Sequence, residues 1–99
     1  MRAVIQRILS AQLNVESKLI SKTGPGLLVY LGISIDDNKE DAKWTSDKIA
    51  NLRIFEDDQG KMNLSAKDTN SEILLVPNFT LYADCRKGRR PGFDPAADP

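Results

Sequence analysis

GPGLLVYLGI, residues 24–33, is the stretch on which the fold turns. Gly24-Pro25-Gly26 after Thr23 marks a turn, because glycine tolerates positive φ and proline fixes φ beside it. Leu27 to Ile33 is then nearly all apolar. A strand with one wet face alternates between apolar and polar residues. This run does not, so it predicts a strand covered on both faces. Upstream, residues 1–8 alternate, with Ala3, Ile5 and Arg7 on one face and Val4, Gln6 and Ile8 on the other. Residues 11–15 alternate as well, and Leu19-Ile20 suggests a short third strand.

Downstream, Asp36-Asp37-Asn38 predicts a helix over about residues 38–51, with Asp37 and Glu40 as a capping box. Ala42, Thr45, Ile49 and Leu52 recur at helical spacing and are expected to face the core, with Asp41, Lys43, Asp47 and Lys48 in water. Leu52 to Glu56 and Lys61 to Leu64 read as strands joined by a turn at Asp57-Asp58-Gln59-Gly60. In that first strand, Arg53 is expected to form a structural ion pair. Residues 65–71 read as a polar loop. Glu72 to Ala83 is the longest strand candidate, with a bulge or break at Pro77, which has no N–H for a ladder. The whole is a single α+β domain over 1–99 with a mostly antiparallel sheet. Pro91 to Pro99 reads as a connection, which predicts a domain incomplete at its C-terminus.

The totals exclude some chemistry. Lys+Arg and Asp+Glu both number 14, so any signal for a polyanion has to be local. There is no histidine, which removes a histidine triad, base or metal ligand from this chain. One cysteine allows no internal disulfide and argues against a zinc site, so no metal or cofactor is expected. No apolar run reaches the length of a signal core or a membrane span, and the expected setting is cytoplasmic, with no membrane partner.

The local signal lies in PNFTLYADCRKGRRP, residues 77–91. Thr80 is a candidate nucleophile or donor, although no side-chain base is at hand; the bland alternative is a strand threonine with a satisfied hydroxyl. Asn78 is a candidate oxyanion donor or, equally, the head of an Asx turn beside Pro77. Phe79 and Tyr82 are candidates for stacking on a base, with core packing the default for Phe79. Arg86, Lys87, Arg89 and Arg90 surround Gly88 and would suit a phosphate clamp, against the alternative of a solvated loop.

Five stretches carry a resemblance to a known family: MRAVIQR at 1–7, GPGLLVYLGI at 24–33, KIANLRIFEDDQGKMNLS at 48–65, EILLV at 72–76 and FTLYADCRKGRRPGFDPA at 79–96. In this order they resemble the D-aminoacyl-tRNA deacylases. The resemblance implies that family's α+β fold, a homodimer with the site at the interface, and hydrolysis of the ester in tRNA charged with a D-amino acid or with glycine. It places Phe79, Thr80 and Leu81 at the end of the family's Ser-Gln-x-Thr-Leu motif, and Gln6 and Arg7 near the pocket. Pro77-Asn78 stands where the family usually has Ser-Gln, and the family's Gly-Pro-Val-Thr motif is absent from these 99 residues. The basic residues 86–90 are assigned to tRNA. Two alternatives follow: a non-catalytic nucleic-acid-binding module, and an inactive truncated member.

Overall fold

A computed structural model describes residues 1–99. Its elements are β1 Arg2–Ile8, β2 Ala11–Val15, β3 Lys18–Thr23, β4 Gly26–Gly32, α1 Lys39–Asn51, β5 Phe55–Glu56, β6 Met62–Leu64, α2 Ala66–Thr69 and β7 Glu72–Pro77, followed by a 3₁₀ turn at Phe79–Tyr82. The apolar run becomes β4, the central strand of a three-stranded sheet ordered β1-β4-β7. Its Leu27 and Val29, on one face, have no solvent exposure, while Leu28 and Tyr30 on the opposite face are only half-buried, so at these positions the expected cover is complete on one face alone.

Pairing is antiparallel for β1–β4, β2–β3 and β5–β6. The expectation of a mostly antiparallel sheet holds for three of the four pairings; the exception is β4–β7, which runs parallel from Gly26 beside Glu72 to Leu31 beside Pro77. A parallel pair needs a crossover, and here the crossover carries α1, the β5–β6 hairpin and α2. Gly26 makes the entry of β7 possible: a Cβ there would lie 1.8 Å from the Glu72 carbonyl oxygen. The Glu72 carboxylate also accepts the Gly24 N–H at 2.7 Å, fastening the turn to the strand.

The core is small. Leu27, Val29, Ile49 and Ala66 form it, with Ile5, Ile54 and Phe55 packed against them. The radius of gyration is 15.6 Å, above the ~13 Å of a compact 100-residue domain. Many large apolar side chains remain in solvent, Leu9, Ile20, Ile35, Trp44 and Met62 among them.

The α1 cap sits one residue later than expected. Asn38 Oδ1 accepts the N–H groups of Glu40 and Asp41, and the Asp41 carboxylate accepts the Asn38 N–H. Asp37 instead binds the N-terminal ammonium and accepts the Ser34 N–H. Asp41 is thereby drawn half inside, and Ala42, expected in the core, faces water. Thr45, Ile49 and Leu52 complete the inward stripe. The strand expected over Leu52 to Glu56 is reduced to Phe55–Glu56. Arg53 has no carboxylate partner; it donates to the Asn63 carbonyl at 3.0 Å and to the Asn63 side chain. Residues 65–71 are not a loop. Ser65 and Asp68 form a reciprocal capping box that starts α2, and Asn70 closes it in the left-handed region at φ 52°.

Candidate functional site

The strand expected through Ala83 ends at Pro77. Proline has no N–H to continue the ladder, and the chain turns after one more sheet bond, from the Asn78 N–H to the Leu31 carbonyl at 2.8 Å. Asn78 then caps the 3₁₀ turn. Its Oδ1 accepts the Thr80 N–H at 3.1 Å and also the Thr80 hydroxyl. Thr80 is thus on a turn rather than a strand, exposed, with its hydroxyl proton committed to an amide oxygen that is no base. The Asx-turn alternative for Asn78 is the geometry found.

The turn is held against the sheet at its far end. The Arg2 guanidinium donates to the Leu81 carbonyl at 3.0 Å and lies 4.5 Å from the centre of the Tyr82 ring. Tyr82 is buried, and that burial pushes its hydroxyl pKa up. Tyr82 therefore packs inside rather than offering a stacking face. Gly32 permits the contact, since a Cβ there would come within 3.0 Å of both Leu81 and Tyr82 side chains.

Phe79 is 57% exposed and meets Phe93 edge to face, with ring centroids 5.0 Å apart. Residues 91–99, read from sequence as a connection, are tied into the fold. Asp84 and Gly92 exchange both backbone hydrogen bonds, at 2.7 and 2.8 Å. Ile35 N–H donates to Pro95 and Ala97 N–H to Ile33, at 3.0 and 2.8 Å. Between this segment and the sheet end lies a mostly apolar cavity of about 680 Å³, walled by Leu31, Ile33, Pro77, Asn78, Phe79 and Phe93. That volume suits a small-molecule group.

The four basic side chains do not share one environment. Arg86 is engaged by Asp84 through two side-chain contacts at 2.9 and 2.8 Å. This pairing holds the Asp84 carboxyl at about 2, below its ordinary 3.8, and raises the Arg86 pKa. Lys87, Arg89 and Arg90 are exposed, have no acidic partner, and with Gly88 (φ 138°) bound a second concavity of about 570 Å³. The Asp84–Gly92 bridge pins both ends of this loop, and the next residue, Phe93, walls the apolar cavity.

The structure therefore brings Pro77, Asn78 and Phe79 to one cavity, with Thr80 and Leu81 in the turn that frames it. Gln6 and Arg7 stay apart within this chain. They are level with Leu28 and Leu27, whereas Pro77 is level with Leu31 and Ala3. Three to four residues of strand separate the rows, roughly 10–13 Å. Sequence reasoning missed Phe93, whose signal was a lone aromatic within a Pro- and Asp-rich tail, and it missed Leu31 and Ile33 as cavity wall.

The fold is an α+β domain whose sheet ends in an apolar cavity, with an exposed basic loop nearby in the chain, and comparison with known proteins says to which family it belongs. The chain belongs to the D-Tyr-tRNA(Tyr) deacylase family, whose model matches residues 4–99. It is 59% identical over 99 residues to a D-aminoacyl-tRNA deacylase of Thermosipho africanus and 54% identical to one of Thermotoga petrophila. All of the chain is aligned, and it spans 66% of the length of each relative. Among solved structures it is similar to a c-Myc DNA unwinding element binding protein, with a TM-score of 0.92, 41% identity, and coverage of 99% of this chain and 66% of that one. A probable eukaryotic D-amino acid tRNA deacylase shares the fold, with a TM-score of 0.79 at 20% identity, over 97% of this chain and 57% of that one.

Proposed function

We infer that this chain carries the substrate pocket of a D-aminoacyl-tRNA deacylase. The observation that carries the reading is the cavity between Pro77–Phe79 and Phe93, next to the pinned Lys87–Arg90 loop. In that reaction water adds to the ester carbonyl, the bond from carbonyl carbon to ribose oxygen breaks, and the ribose oxygen takes a proton. The products are a free D-amino acid and tRNA. The developing oxyanion needs a fixed donor. Phe79 N–H is suited to that role, because it opens a helical turn and has no intrahelical acceptor. Thr80 is not used as the nucleophile, since its hydroxyl faces an amide oxygen. The absence of histidine agrees with the family resemblance, which implies proton transfer through water or the neighbouring ribose hydroxyl of the substrate.

Lys87, Arg89 and Arg90 would hold tRNA phosphates, with Gly88 allowing close approach. Gln6 and Arg7 would reach a site only through a second copy of the chain, in keeping with a homodimer. The same pocket would act on glycyl-tRNA, a role in translation quality control. The exposed free Cys85 suits a reducing cytoplasm.

A second reading, nucleic-acid binding without hydrolysis, is favoured by the exposed loop and by the likeness to a protein named for binding a DNA unwinding element. D-tyrosyl-tRNA and L-tyrosyl-tRNA, incubated with the 99-residue chain and with a chimera carrying the last third of the Thermosipho relative, separate the two. Ester loss from the D form alone supports the deacylase. Salt-sensitive tRNA binding with no ester loss in either protein supports the binding module.

A further inference from the structure

We propose that Asn78 and Arg2 are positioning residues that clamp the 3₁₀ turn Phe79–Tyr82 from its two ends. The activity arm of this inference rests on the deacylase reading; the structural arm does not.

Two atoms of Asn78 are already committed. Its N–H is bound to Leu31 in the sheet, and its Oδ1 accepts both the N–H and the hydroxyl of Thr80. An asparagine reaches the N–H two residues ahead, and one more methylene would overshoot it, which is why glutamine is a poor cap. At the other end, Arg2 from β1 bonds the Leu81 carbonyl and lies over Tyr82. Both anchors come from the sheet, and Gly32 lets the turn sit directly on it. What the clamp aims is Phe79, which lines the cavity and lies between the two anchors along the chain. A misplacement of about 1 Å at a donor such as its N–H is enough to cost up to about 100-fold in rate.

The test compares Asn78→Ala, Asn78→Ser, Asn78→Gln and Arg2→Ala. Serine is a good cap but has no amide to donate to an oxyanion. Hydrogen exchange of the Thr80 amide is read in this chain, and kcat and KM in whichever of the two proteins above hydrolyses D-tyrosyl-tRNA. The clamp predicts that Asn78→Ala and Asn78→Gln lose protection at Thr80 and fall about tenfold or more in kcat, with KM within about twofold. Asn78→Ser recovers most of both losses, and Arg2→Ala lowers kcat without changing KM. The proposal is overturned if Asn78→Ser falls as far as Asn78→Ala, the mark of an amide donor, or if Asn78→Gln matches the parent. Should neither protein hydrolyse the ester, the deacylase reading fails, and the Thr80 exchange pattern alone decides whether Asn78 sets the turn.

Discussion

Asp84 shows how one residue can alter the reading of a charge cluster. Four cations within five residues read as one clamp in the sequence, but Asp84, two residues before Arg86, removes the first of them. The pair also sets a pH dependence. The folded carboxyl titrates at about 2, below its ordinary 3.8. A depressed carboxylate contributes above the unfolded value, about 3.9, and loses that contribution as pH falls toward the folded value. A carbon-13 titration of the Asp84 carboxyl should therefore show a midpoint near 2 in the parent. In Arg86→Gln it should move up toward the ordinary carboxylate range, because the guanidinium is its largest cause.

Element by element, the caps carry the local code. Asn38 satisfies two orphan N–H groups of α1 and donates its own backbone N–H to the Asp41 carboxylate. Asn38→Ala should lower stability by about 1 kcal/mol in a thermal or urea melt. Asp37→Ala should leave the helix start intact but release the N-terminal ammonium, so the two variants should differ in which amides lose exchange protection. The same elements show what could be read from sequence. The apolar run of β4, the existence of strands β2 and β3, the Asp57–Gly60 turn and the existence of α1 follow from patterns a few residues long. The α1 cap was misplaced by one residue because Asp37 and Asn38 are both good caps, and only the ammonium at Met1 decides between them. The capping box Ser65-x-x-Asp68 was present but hidden by polarity, since a four-residue helix has no room for an apolar stripe. Pro77 announced a break, but its outcome, a turn rather than a bulge, depends on Leu31 and Arg2 from other strands. Phe93 joined the cavity through backbone bonds to residues 33–35 and Asp84, which no local pattern encodes.

Across the whole molecule, charge is balanced and the polyanion signal is confined to one pinned loop. If Lys87, Arg89 and Arg90 each neutralise a phosphate, replacing all three with alanine should flatten the slope of log affinity for tRNA against log salt by about 2–3. Arg86→Ala should change that slope much less, because its charge is already matched by Asp84. Titrations at several salt concentrations check both. The parallel pairing of β4 with β7 has a kinetic consequence. It joins residue 26 to residue 72 only after α1, the β5–β6 hairpin and α2 have been laid across the sheet. Contacts that close so long a stretch of chain form late, after local ones have reduced the entropy cost. The cavity stands at the last row of that pairing, Leu31 beside Pro77. If that row closes last, substitutions at Pro77 or Asn78 should speed unfolding while leaving the folding rate nearly unchanged.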